Sequence, residues 1–76
     1  MSSELSNWTF REVEKLLRQK GFTLNYTNGS HFYYKGIYGG EIHNVCVPFH
    51  GQTAIKPRTL KGIIEQSGIP RKEWMS

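Results

Sequence analysis

Apolar positions along this chain follow two rhythms, one helical and one of period two. Phe10, Val13, Leu16 and Leu17 recur at helical spacing, behind a Thr9-x-x-Glu12 pair that reads as a capping box. Trp8 before the cap and Val13 after it suit a hydrophobic staple, and Gly21 is placed to close the helix in a left-handed conformation. The pattern predicts an amphipathic helix over residues 9 to 20. In "FTLNYT" the period then changes to two, with Phe22, Leu24 and Tyr26 alternating against polar neighbours, which predicts a half-buried strand. "HFYYK" continues as a second strand and "EIHNVCVPF" as a third, with "GIYGG" as the loop between them; Pro48 has no N–H to donate, so the third strand should end near it. After the loop "HGQTAI" the helical period returns. Pro57 fits a first helical position, Leu60, Ile63 and Ile64 form a short apolar face, and Gly68 fits the stop. Gly62 inside this helix costs about 1 kcal/mol against alanine, which predicts a neighbour packed closely over it. "IPRKEWM" reads as a tail with room for one further turn from Pro70.

The element order is helix, three-stranded antiparallel meander, helix. Such a sheet has one face to bury, and the expectation is an α+β fold of two layers, α-β-β-β-α, with both helices on one face and the other face open to solvent. Seventy-six residues make one domain, 1–76, with its core expected over 7–69 between a short polar N-terminus and a C-terminal tail.

The orientation of His31 depends on the first hairpin. A two-residue Asn28-Gly29 loop would pair Tyr26 with His31 and place the histidine on the face of Phe22 and Leu24. A three-residue loop, Thr27-Asn28-Gly29 with Gly29 left-handed, pairs Leu24 with Phe32 and Phe22 with Tyr34. A shift of one residue reverses every side chain. Only the second register gathers Phe22, Leu24, Phe32 and Tyr34 on one face, and each such burial is worth roughly 1.5–3 kcal/mol. That register predicts an exposed His31 beside Tyr33, Lys35 and Asn25, with Val45 and Val47 turned to the core and Cys46 turned out.

Ten Lys and Arg against six acidic residues, all Glu, give a net charge of +4. The balance favours polyanionic partners, nucleic acid first, although it also lies within ordinary solubility charge. One cysteine allows no internal disulfide and suits a reducing compartment. Cys46 with His31, His43 and His50 matches no metal-ligand spacing, so neither metal nor cofactor is expected. No stretch has the pattern of a signal peptide or a membrane span, so the expected location is cytoplasmic, with no membrane partner.

The segment "GFTLNYTNGSHFYY" resembles the Gly-aromatic strand and Gly-Ser-His motif of HicA-type toxins, the small mRNA interferases of bacterial toxin–antitoxin pairs. "VCVPFHG" is similar to the family's Val-x-Val-Pro-x-His segment. "IKPRTLKGIIEQSGI" is similar to its terminal helix, with Thr-Leu and Gln-x-Gly-Ile elements. The resemblance spans residues 7 to 69. Pro57-Arg58 stands where a Lys-Gly pair is frequent, and "YKGIYGGEIHN" suggests a longer, glycine-rich second hairpin loop. The resemblance implies a fold like a double-stranded-RNA-binding domain, an endoribonuclease acting on mRNA, a catalytic histidine at His31, and a HicB-type antitoxin covering the face that carries it.

RNA supplies its own nucleophile, the 2′-hydroxyl, so cleavage needs proton transfer and positive charge rather than a metal. Imidazole, with an unperturbed pKa of about 6.5, suits that work, and His31 is expected to serve as base or acid. Lys35 would offset phosphate charge, Tyr33 would stack on or bond to a nucleotide, and Ser30 would offer a hydroxyl or backbone N–H. Lys56, Arg58 and Lys61 at the start of the second helix form a candidate phosphate-backbone site. His50 is either a substrate contact and second proton-transfer group or a loop residue that caps or orients that helix. His43 reads as a strand or loop surface residue. The competing assignment is a non-catalytic RNA-binding or antitoxin-binding domain with the same fold.

Overall fold

The computed structural model describes residues 8–75. Helix α1 (Phe10–Gln19) is followed by β1 (Thr23–Asn28), β2 (His31–Tyr38), β3 (Glu41–Pro48), α2 (Pro57–Ser67) and α3 (Arg71–Met75), and the strands form one antiparallel sheet in the order β1-β2-β3. This is the expected α-β-β-β-α arrangement, consistent with a double-stranded-RNA-binding-domain-like fold. The capping box forms as the sequence requires: the Glu12 N–H donates to the Thr9 hydroxyl at 3.4 Å, and the Thr9 N–H donates to the Glu12 carboxylate at 3.0 Å. One core cluster joins Phe10, Val13 and Leu17 of α1, Tyr34, Val45 and Val47 of the sheet, and Leu60, Ile63 and Ile64 of α2. Tyr34 is fully buried, and its hydroxyl donates to Glu14 on α1 at 2.6 Å. Burial first, and then that bond, hold its phenol well above the ordinary range.

The first hairpin adopts neither expected register. Asn28 pairs with His31 across a two-residue Gly29-Ser30 turn, in which Gly29 is left-handed at φ 62°. The ladder then runs Thr27 to Phe32 and Tyr26 to Tyr33. After a bulge at Asn25 it resumes with Leu24 opposite Tyr34. The bulge absorbs one residue, so Tyr26 joins Tyr33 on the open face, where their rings stack at 4.5 Å and 8°. Leu24 stays on the side of its partner Tyr34, yet it is 39% exposed and is no core residue. Phe22 stays buried by another route, lying just before β1 with its ring over Gly36, where a Cβ would stand 2.5 Å from it. The expected outcome for β2 survives the corrected register: Tyr34 is buried, Phe32 packs against the core, and His31 and Lys35 are exposed.

Gly36 also explains a second correction. "GIYGG" is not a loop, because β2 runs on through Tyr38 and the turn to Glu41 contains only Gly39 and Gly40. The glycine that resembles a breaker is a strand residue whose missing side chain admits Phe22. A third correction concerns Gly62: among the described residues, no atom from a packing neighbour lies within 4 Å of where its Cβ would stand. His43 is likewise not a bystander. Its half-buried ring places Nδ1 3.1 Å from the Gln66 carbonyl and Nε2 3.2 Å from the Tyr38 carbonyl, joining the second hairpin to the end of α2.

The further turn from Pro70 forms as α3, where the Glu73 N–H donates to the Pro70 carbonyl at 2.9 Å. Trp74 on α3 is buried, 5.4 Å from Trp8 between ring centroids, and Lys20 at the end of α1 donates to Glu73 at 2.8 Å. The Lys20 hydrogen bond holds the Glu73 carboxyl below its ordinary range. A depressed carboxylate contributes stability that is present above its unfolded pKa, about 4.3, and is lost as pH falls through the folded value. Urea unfolding from about pH 7 down to pH 3 is therefore expected to show an acid decline that Lys20→Met flattens; equal slopes in both proteins would refute this contribution.

Candidate active site

The β2–β3 ladder places His31 opposite Pro48 and Tyr33 opposite Cys46. One step further, the Phe49 N–H donates to the Ser30 carbonyl at 2.7 Å. The Phe49 ring turns towards the helices, edge-on to Phe10 at 5.0 Å and tilted against Phe32 at 5.8 Å. Alternation then sends Cys46, Pro48 and His50 to the opposite side, together with His31. These four line a cavity of about 790 Å³. Its far wall is α2, which presents Thr59, Gly62 and Gln66, a stripe at i, i+3 and i+7 beside the buried face, with Lys56 and Arg58 at the helix start. The Gln66 side chain accepts the Cys46 N–H at 3.0 Å and so holds α2 against the edge of β3.

Among the described residues, no carboxylate lines this cavity, and Lys56 and Arg58 form no ion pair. Lys56 is the N-cap of α2 and makes no side-chain cap bond, so the first-turn N–H groups open towards the same region. His31 and His50 are exposed, and among the described residues neither ring makes a hydrogen bond. The arrangement is a cationic recess with two exposed imidazoles, suited to an oxyanion that undergoes proton transfer.

The structure therefore brings together His31, His50, Lys56 and Arg58 and leaves four other expected residues outside the cavity lining. Ser30 sits in the turn beside His31, its carbonyl already engaged by Phe49. Lys35 is exposed further along β2, and Lys61 is exposed on α2. Tyr33 lies on the open sheet face, stacked on Tyr26. Its interaction with the Cys46 side chain is the main influence raising its phenol above the ordinary range. Tyr26, Thr59 and Gln66 were not anticipated. The α2 stripe was available as a helical period flanking Leu60, Ile63 and Ile64, whereas Tyr26 was hidden by the bulge. Among the described residues, no group of three or more His, Cys, Asp or Glu converges as a metal set, and no helix is long and apolar enough to cross a membrane.

Gly62 faces the cavity with open space above it, so alanine there should gain about 1 kcal/mol of helix propensity without a clash. Thermal unfolding of Gly62→Ala is expected to rise by about 4–8 °C. A fall in midpoint would mean that something does pack over this position.

No curated protein and no solved structure matches the chain. The family model described as the HicA toxin of bacterial toxin–antitoxin systems matches residues 10–69, from the first turn of α1 to the residue after the α2 cap. That span contains both walls of the cavity and all the described residues that line it, and on this match the chain belongs to the HicA toxin family.

Proposed function

We propose that this toxin is an endoribonuclease that cleaves mRNA in the cytoplasm by metal-independent histidine acid/base catalysis. The observation that carries the reading is the exposed His31 ring in a recess bordered by Lys56 and Arg58, with no carboxylate among the described residues that line it. A phosphodiester seated there has its charge offset by ammonium and guanidinium groups and by the first turn of α2. His31 exchanges a proton with the reacting oxygens, and the RNA 2′-hydroxyl acts as nucleophile. Ser30 contributes a hydroxyl or its N–H beside that histidine. Tyr33 and Lys35 engage nucleotides that continue over the open sheet face, and Lys61 meets backbone beyond the recess.

HicA toxins pair with HicB antitoxins in toxin–antitoxin systems. In this reading the antitoxin covers the face bearing His31 and silences the toxin by burying the reactive ring. The test is cleavage of single-stranded RNA by the purified protein with EDTA present. Undiminished cutting in EDTA is expected, and cleavage that is lost in EDTA and regained with an added divalent metal would overturn the metal-independent mechanism. In cells, expression of the chain alone should arrest growth and co-expression of the antitoxin should relieve it. Free growth with soluble protein would instead favour an antitoxin-binding domain without chemistry.

A further inference from the structure

Cleavage through the 2′-hydroxyl needs two proton transfers at opposite ends of a nearly linear arrangement, because attacking and leaving oxygens stand in line across phosphorus. One imidazole placed at the attacking oxygen does not face the departing one. We infer that His50 is the second proton-transfer group, working beside His31 in the same recess; this rests on the ribonuclease reading given above.

The segment that carries His50 is tied down from both sides of the chain. Phe49 is held by its N–H bond to Ser30 and by its ring contacts with Phe10 and Phe32. The His50 carbonyl accepts the Thr53 N–H at 3.2 Å and closes the following turn. With Phe49 committed to the helix side, His50 faces the recess that His31 also lines. A capping role for it is not seen: Lys56 is the cap residue of α2, and among the described residues the His50 ring makes no hydrogen bond. The other titratable groups lining the recess are Cys46 of β3 and Lys56 and Arg58 at the start of α2. The ammonium and guanidinium groups supply charge, and Cys46 stands opposite Tyr33 in the β2–β3 ladder. Two imidazoles remain for the two transfers.

One imidazole takes the proton from O2′ as the O2′–P bond forms. The other, as imidazolium, gives its proton to O5′ as the P–O5′ bond breaks. The products are a 2′,3′-cyclic phosphate and a free 5′-hydroxyl, and exchange of one proton with solvent at each ring resets the pair.

The test uses a single-stranded RNA cut by the wild-type protein and the same RNA with sulfur as the bridging 5′ atom at that cut, since a thiolate departs without a proton. On ordinary RNA, His31→Ala and His50→Ala are each expected to lose about 10²–10⁴-fold in rate. On the thio-substrate one of the two should recover most of that loss, which assigns it as the acid. The wild-type pH–rate profile should have two limbs, and the His50→Ala profile one. Thermal unfolding of His50→Ala should match wild type, because the ring is exposed. Full-rate cleavage by His50→Ala, or two slow variants with no recovery on sulfur, would overturn the inference. If His31→Ala is inactive while His50→Ala cuts normally, the ribonuclease reading stands and this inference alone falls. If wild-type protein cuts no RNA, both fall.

Discussion

His31→Ala is expected to reduce RNA cleavage by about 10²–10⁴-fold, the usual loss when a general acid or base is removed, and to abolish growth arrest. The protein should nonetheless fold as before. The ring is exposed and makes no hydrogen bond among the described residues, so its removal opens no cavity and strands no buried donor. The turn beside it is held by the Asn28–His31 pairing and the Phe49–Ser30 hydrogen bond, both through the backbone. RNA retention should change little, because Lys56, Arg58, Lys61 and Lys35 remain and phosphate contacts dominate such affinity. A split between lost cleavage and kept binding is the signature of chemistry at His31. If His31→Ala cuts RNA as fast as wild type, the catalytic assignment is wrong and a binding module is the better description.

Trp74→Ala is expected to lose about 3–5 kcal/mol, the usual range for truncating a buried aromatic. A domain of this size has roughly 3–5 kcal/mol in hand from its core, so the substituted chain should be largely unfolded at room temperature. Trp74 is only 2% exposed, and its ring meets Trp8 at the entrance to α1. The indole Nε1 has no hydrogen-bond partner among the described residues, so Trp74→Phe sacrifices volume and no bond and should fold with a smaller loss. Urea unfolding followed by circular dichroism checks both substitutions. A Trp74→Ala midpoint close to wild type would show that α3 is an ornament and that the core ends at Ile69.

The contrast between these two residues reflects what local patterning carries. His31 is legible because period-two alternation forces it away from Phe32 and Tyr34, whichever partners β1 supplies. Trp74 is not, since a five-residue helix shows no periodic stripe and a lone aromatic near a chain end resembles a tail. Tyr26 is hidden from a reading of the sequence for a different reason. Alternation assumes an unbroken ladder, and a bulge at Asn25 cancels it by one residue. Gly36 and Gly62 illustrate the ambiguity of glycine. Both sit where a side chain would ordinarily be, yet one admits the Phe22 ring and the other leaves a recess open, and only coordinates tell these apart.

By itself the sequence determined the helices, the order of strands, the buried face of β2 and β3, the cationic balance and the exposed histidine after the turn. Those are local properties, set by the spacing of apolar side chains, the caps and the turn residues. Only the tertiary structure decided that His50, 19 positions beyond His31 in the chain, faces the same recess, that Lys56 and Arg58 close it, and that His43 and Trp74 hold elements together. Each of those facts depends on how separate elements pack against one another. Such packing is a cooperative outcome of the whole core, and no window of neighbouring residues encodes it.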